Sequence, residues 1–573
     1  MISRLRIPAQ YTVVHGNSQV MFVRLQLAPG VIYRLAPAFA FCCICALALM
    51  GCTMPRRVAS QPEGAAIAEP GPGSTTVTED ANDAGAGHPS ASTSNQPTTA
   101  ANEQNGRVET GPEAVATAST SSHRVVAGDT LTQIAERYGV SVASLMRAND
   151  LPNPNLLTVG QIITLPAPPV DYTPAFHILP DSLLVRSTTA GDFDVDAFIS
   201  SHGGALSDLT VHLNETRFDG TARAGSFSAA EIIERVSLEY SVDPRILIAF
   251  LEYAAGMLTE SALDDETKQF PLRQPEAYFR MRRAGLYNQL SWLADRLNQG
   301  YYGWKYRGES ILELEDGSRL YYEPKLNPGT VAVQHVLAQL PSVADWREAS
   351  GEAGISATYQ GLFGDPLQFA HETVPANLQQ PDLTLPFPRG DVWRFTGGFH
   401  GGWGNGSAWA AVDFSPPRGA GQGGACYTAV HPTTAVARGI ITRLDEGVVI
   451  LDLDEDSNEG TGWTVLYLHV DHKNLLEEGQ VVEAGNILGY ASCLGGVTNA
   501  THLHIARRYN GEWLPADCNR CPPGVAVPPF VMSDWKVVGL NSQLYQGFMV
   551  HQLENRTAVA EQGRYTAVNE ISW

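Results

Sequence analysis

Apolar positions along the chain change their spacing several times, and each change marks a boundary. An unbroken apolar run from Leu35 to about Gly51 follows Arg34. From 53 to 122 there is no Phe, Trp, Tyr or Leu, so this stretch cannot bury enough apolar surface to fold. Residues 123–167 read strand, helix, helix, strand. Val125-Val126 opens the first strand, Leu131, Ile134, Ala135 and Tyr138 carry helical spacing up to Gly139, Ser141 caps a helix through Leu145 to Ala148, and Ile162 to Leu165 closes the unit. Between 168 and about 375 the spacing is helical. Ser228-Ala229-Ala230-Glu231 is a capping box before Ile232 to Glu239. Asp243-Pro244 starts a helix from Ile246 to Met257. Leu286 to Leu297 and Thr330 to Leu340 follow the same period. From about 383 the period falls to two, in short runs divided by Gly, Asn and Asp, which predicts an antiparallel sheet. Ala435 to Thr442 and Val448 to Leu453 form one hairpin of it. A C-terminal extension from about Pro528 to Trp573 alternates in the same way and is expected to add strands to that sheet.

The predicted fold class is therefore multidomain α+β. Residues 1–52 form a targeting segment and 53–122 a disordered linker. A βααβ module occupies 123–167, and a mainly helical middle domain 168–375. A domain built on an antiparallel β-sheet, with its extension, occupies 376–573. The linker's 70 residues would span roughly 45 Å as a coil and up to ~230 Å when stretched.

A formal net charge of −22 excludes nucleic acid as a main partner, because phosphate binding needs a basic face. The apolar run after Arg34 has the size of a signal-peptide core and places the folded parts outside the cytoplasm. Eight cysteines fall into two groups, Cys42, Cys43, Cys45 and Cys52 near that run, and Cys426, Cys493, Cys518 and Cys521 in the sheet domain. The second group allows three disulfide pairings, which sequence does not separate, and Cys518-Asn519-Arg520-Cys521 reads as a local disulfide or free thiols rather than a metal knuckle.

The chemistry is concentrated in four segments of the sheet domain. In Thr501-His502-Leu503-His504-Ile505 two histidines stand at i and i+2 of an alternating run, so both rings leave one face, roughly 7 Å apart. His469 ends the run Thr464 to Leu468, Asp413 lies in Trp409-Ala410-Ala411-Val412-Asp413-Phe414, and His400 follows Gly397-Gly398-Phe399. Two His and one carboxylate satisfy the three-ligand requirement of a hydrolytic zinc site with an open fourth position, and further neutral His can move a proton or meet an oxyanion. His431 reads as structural, His472 competes with His469, and Asp454 to Asn458 reads as a solvated acidic turn. The glycines 397, 398, 401, 402, 495 and 496 are expected to let an extended peptide come close.

From about Phe387 to Tyr509 the chain resembles the lysostaphin and beta-lytic type of zinc endopeptidase, which cleaves bacterial cell-wall peptides. The beta-lytic branch places its first His thirteen residues before the Asp in a GGxH turn, as His400 and Asp413 stand here. The resemblance implies one Zn²⁺ per chain held by His400, Asp413 and His504, with His469 and His502 as catalytic histidines of unallocated roles. An alternative is a non-catalytic peptidoglycan-binding activator of another wall hydrolase. Such relatives usually lack several of these residues, and all five are present.

Residues 123–167 resemble the lysin motif (LysM) through Gly128-Asp129-Thr130-Leu131, the run Ile134-Ala135 to Tyr138-Gly139, and Gly160 to Pro166. This implies binding of N-acetylglucosamine chains such as peptidoglycan, with Gly128, Asp129, Thr130, Leu131 and Asn153 in the groove. Leu49-Met50-Gly51-Cys52 resembles a bacterial lipobox, which implies lipidation of Cys52 and a membrane-anchored, extracytoplasmic protein. An uncleaved signal anchor is the other possibility. Tyr240 to Ala249 is weakly similar to the opening of lysozyme-like transglycosylases. Ala254-Ala255 stand where a Glu-Ser pair would follow, so the middle domain reads as an inactive glycan-binding relative or a helical spacer.

Overall fold

The computed structural model describes residues 122–573, apart from 141, 152, 166–170, 217–221, 274–282 and 541–542. The targeting segment, Cys52 and the linker lie outside the described residues.

The first module pairs Ser122–Arg124 with Ile162–Thr164, so its first strand begins three residues before the predicted Val125. Thr130 caps the helix Leu131–Arg137 in a capping box with Gln133. Leu131, Ile134, Leu145 and Ile163 fill its small core. Among the described residues, polar contacts of Ser310 and Arg520 fasten the module to the rest of the chain. Ser310 Oγ donates to Arg137 O at 2.7 Å. Arg520 Nη2 lies 3.2 Å from Asp129 Oδ1.

The middle region is helical where its spacing predicts. Ser228 Oγ accepts from Glu231 N, and the Glu231 carboxylate accepts from Ser228 N, opening Ala229–Tyr240. Asp243 caps Pro244–Ala255. The helix predicted to end at Leu297 runs on to Arg307. Its buried stripe of Leu290, Leu293 and Leu297 continues through Tyr301, Tyr302 and Tyr306, and only Gly308, in the left-handed conformation at φ 63°, stops it.

An 11-stranded antiparallel sheet organises the C-terminal half. Its main path runs Val481–Val482, Gly439–Asp445, Gly447–Asp452, Trp463–Asp471, Leu503–Tyr509, Ala411–Ser415, Trp393–His400 and Glu570–Ile571. Both faces are buried. Val448, Ile450, Leu466, Leu468 and Ala506 join the core of the middle helices. Their neighbours Val449, Leu451, Val465, Tyr467 and Ile505 join a second core on the other side. That is why these strands read as nearly continuous apolar runs. The C-terminal extension adds only Glu570–Ile571 to this sheet. The rest folds back on itself as a four-stranded sheet, because Val531–Met532, Trp535–Gly539, Gly547–His551 and Thr557–Val559 pair with one another.

The helices and the sheet are also joined by buried polar groups. Glu512 receives Tyr306 Oη at 2.5 Å, Tyr301 Oη at 3.0 Å, Thr373 Oγ1 at 2.5 Å and Lys305 Nζ at 2.7 Å. Glu459 sits between Arg443 at 2.6 Å and Arg508 at 2.5 Å. Burial alone would raise the Glu459 carboxyl, but the two guanidiniums bring it from an ordinary 4.5 down to about 2. A carboxyl depressed on folding stabilises the fold above its unfolded pKa and loses that contribution as pH falls through its folded pKa. Unfolding free energy is expected to drop by about 3 kcal/mol through this residue between about pH 5 and pH 2. Glu459→Gln should flatten that part of a urea-denaturation profile.

Candidate active site

The four segments singled out in the sequence converge. Leu503–Tyr509 pairs with Ala411–Ser415 so that His504 stands directly opposite Asp413. Gly397 of Trp393–His400 lies opposite Asp413 from the other side. A Cβ on Gly397 would stand 2.3 Å from Asp413 Oδ2, so only glycine admits the carboxylate there. His400 Nε2 is 3.0 Å from His504 Nδ1, and Asp413 Oδ1 is 3.2 Å and 3.3 Å from the two. His469 and His502 pack beside them, their ring centroids 4.6 Å apart, and His469 is 6.2 Å from the His504 ring.

The outer nitrogen of every ring faces a backbone carbonyl. His400 Nδ1 meets Gly398 O at 2.8 Å and His504 Nε2 meets Gly402 O at 2.9 Å. His469 Nδ1 meets Leu494 O at 2.7 Å and His502 Nδ1 meets Ala500 O at 2.8 Å. A carbonyl only accepts, so each outer nitrogen carries the hydrogen and each inner nitrogen of a neutral ring is a bare lone pair. His400 Nε2, His504 Nδ1 and Asp413 Oδ1 are then three acceptors within 3.0–3.3 Å of one another. Asp413 Oδ1 is buried and has no hydrogen-bond partner of good geometry. Such a set repels itself unless a cation lies among them. Two imidazole nitrogens, one carboxylate oxygen and outer hydrogen bonds that fix the tautomers are a donor set that fits zinc.

The electrostatics agree. Burial would raise the Asp413 carboxyl, but the positive charge that His400 and His502 carry when protonated, with the hydrogen bonds that His400 and His504 donate in that form, holds it well below the usual range, so it is a carboxylate whether protons or a cation lie among the rings. Burial, then the neighbouring His502 and His504, push His469 well down, keeping its ring neutral. His400, Asp413, His469 and His504 are all buried, and His502, with 18 % of its side chain exposed, is the edge that meets solvent.

Some expectations change. The glycine walls are mostly filled by the chain itself. A Cβ on Gly398 would meet Gln546 O, on Gly401 Gly404 O, on Gly402 the Trp513 ring, and on Gly495 the Glu446-Gly447 backbone. Gly496 alone of the six faces the histidines, with His469 Cε1 at 3.6 Å. His431 pairs with Asp391 at 3.0 Å, a surface contact. The acidic turn binds its own backbone, Asp452 accepting from Asp454 and Ser457, and Asp456 from Asn458. Glu252 accepts from Leu258 N and Thr259 N and closes a helix end. Among the first-module residues, Leu131 is core and Asp129 is held by His123, Val126 N and Arg520. Gly128, Thr130 and Asn153 are exposed.

Three features escaped the sequence reading. Tyr545, in the C-terminal extension, stacks on His400 with centroids 4.3 Å apart. Asp295, on the long middle helix, accepts from Asn405 N and Gly406 N at 2.8 Å and so braces the loop whose Gly402 carbonyl orients His504. Cys426 pairs with Cys493 and Cys518 with Cys521. No periodicity or motif marks Tyr545 or Asp295.

Comparison with known proteins adds five findings. A family model described as LasA, N-terminal domain, matches residues 177–377, and one described as LysM domain matches 123–166. Protease LasA of Pseudomonas aeruginosa is 25% identical over 360 residues, covering 59% of this chain and 74% of that protein. N-acetylmuramoyl-L-alanine amidase XlyA of Bacillus subtilis is 42% identical over 67 residues, 11% of this chain and 23% of that one. Among solved structures, the M23 metalloprotease pseudoalterin aligns with 22% identity and a TM-score of 0.24, over 33% of this chain and 99% of that chain. The model that matches the middle region is thus that of the LasA N-terminal domain. Of the resemblances read from the sequence, the LysM domain is matched by its family model, and the chain is otherwise similar over 360 residues to a protease, LasA.

Proposed function

We propose that this protein is a zinc metalloendopeptidase of the bacterial cell envelope. It hydrolyses peptide bonds in peptidoglycan stems or cross-bridges, held to N-acetylglucosamine chains by its LysM domain and to the membrane through Cys52 or an uncleaved signal anchor. The observation that carries the reading is the meeting of His400 Nε2, Asp413 Oδ1 and His504 Nδ1 within 3.3 Å, with the bare nitrogens of His469 and His502 alongside.

His400, Asp413 and His504 would hold the ion, which when bound supplies a Lewis acid that acidifies water and polarises the scissile carbonyl. The chain's own residues do the rest. One of His469 and His502 takes the water's proton on Nε2, because its Nδ1 hydrogen is already committed to a carbonyl. The same nitrogen, now N–H, returns that proton to the leaving amine. The other steadies the oxyanion of the tetrahedral intermediate as an imidazolium, which needs a second hydrogen taken from solvent onto its Nε2. Gly496 lies against His469, where a Cβ would stand 3.6 Å from Cε1, and without that Cβ a substrate backbone can come closer to the ring.

The test is digestion of purified peptidoglycan with and without a zinc chelator, reading fragments by mass spectrometry. New amine termini that appear only without chelator are expected, and identical fragment sets in both arms would overturn the reading. A further prediction concerns Asp295. Asp295→Ala is expected to free the Gly402 loop and weaken zinc binding about tenfold, measured by competition with a chromophoric chelator. Unchanged affinity would mean that the loop holds its shape without the helix.

A further inference from the structure

The segment from Cys493 to Thr501 carries no metal ligand and no reacting side chain, yet both bonds that orient the non-ligand histidines end on it. Leu494 O receives His469 Nδ1, and Ala500 O receives His502 Nδ1. Its tip is loose by composition, with Gly495-Gly496 followed by a fully exposed Val497. Its two ends are tied to one stretch, Ala425–Tyr427. Cys493, beside Leu494, is covalently bound to Cys426. Thr501, beside Ala500, donates its N–H to Ala425 O at 2.9 Å. Its hydroxyl accepts from Tyr427 N at 2.8 Å and donates to Tyr427 O at 2.6 Å. Each orienting carbonyl therefore stands one residue from an anchor, and both anchors belong to the same three residues. Further supports are non-covalent: Leu494 N donates to Ser492 Oγ at 3.2 Å, Gly495 packs on the Glu446-Gly447 backbone, and within the segment Thr498 Oγ1 donates to Ala500 O at 2.9 Å and lies 3.3 Å from His502 Nδ1.

We propose that the Cys426–Cys493 disulfide is a positioning device for catalysis, holding the carbonyls that aim His469 and His502. This rests on the peptidase reading and deepens it. The ligand set does not depend on this segment, because His400 and His504 are oriented by Gly398 and Gly402. Loss of the disulfide should thus slow turnover while leaving the metal in place. The orienting partners of site histidines are typically worth 10–100-fold in activity.

The experiment compares full-length wild type, Cys426→Ser/Cys493→Ser, and Cys518→Ser/Cys521→Ser as the control lacking the other disulfide. The substrate is a soluble peptide identified from the wild-type wall digest. The expected result is unchanged zinc content and KM within about twofold, with kcat lowered about tenfold or more in the first variant only. The folded wild type is also treated with a water-soluble phosphine. Each disulfide takes up two electrons and two protons to give two thiols, while the phosphine gains water's oxygen as phosphine oxide. The same fall in kcat is expected, reversed on reoxidation, and this arm serves if the double variant does not fold. An unchanged kcat after verified loss of the disulfide overturns the proposal. So does a fall that tracks loss of zinc, which would make the bond merely structural. Failure of oxidised wild type to cut any wall peptide would instead defeat the peptidase reading.

Discussion

His504→Ala is expected to lower peptidoglycan hydrolysis by on the order of 10³-fold, because a Lewis acid worth several kcal/mol to the transition state departs with the ligand. His504 is the most costly of the three to lose. It stands opposite Asp413 in register, and its ring touches those of both His400 and His469. Its removal leaves Asp413 buried beside two acceptor nitrogens with no third ligand to close the set. Zinc content measured by atomic absorption should fall below one per chain in parallel. Fragment release equal to wild type from a metal-free variant would sink the mechanism. Thermal unfolding of the two proteins in chelator should agree, separating loss of metal from loss of fold.

Glu512→Ala is expected to destabilise the protein by about 3 kcal/mol, in the range for breaking a buried ion pair by removing one partner. The variant strands the Lys305 ammonium and the hydroxyls of Tyr301, Tyr306 and Thr373 in an environment that cannot hydrate them. Three of these partners lie on one helix of the middle region, while Glu512 lies on the short strand Glu512–Trp513, which pairs antiparallel with the strand that carries His504. Urea unfolding followed by tryptophan fluorescence should show one transition in wild type and an earlier midpoint in the variant. A change below about 1 kcal/mol would mean that the network is no stronger than a surface ion pair.

The proposed ligands were legible as a group because they sit on extended chain, where a period of two tells which residues share a face. His502 and His504 announce that face, and the thirteen-residue interval from His400 to Asp413 spans one strand-to-strand return. The LysM domain was legible because nearly every position of so small a core is constrained. Tyr545 and Asp295 were not. Each reaches the site across a long sequence gap, 110 residues for Asp295, and tertiary packing alone decides such contacts. The glycine walls misled for a related reason. A glycine signals that something comes close, and only coordinates say whether the visitor is substrate or the chain's own Asp413, Gln546 or Trp513. The extension's alternation likewise foretold strands but not which sheet would take them.

Arg520 and Ser310 fasten the LysM domain to the body of the chain, and under the proposed function this would give the molecule a built-in ruler. A sugar strand gripped by the small module would present its stems to the metal cleft at one offset. Cuts on intact sacculi should fall at a regular spacing along the glycan, whereas Arg520→Ala should broaden the distribution of fragment lengths on a sizing column.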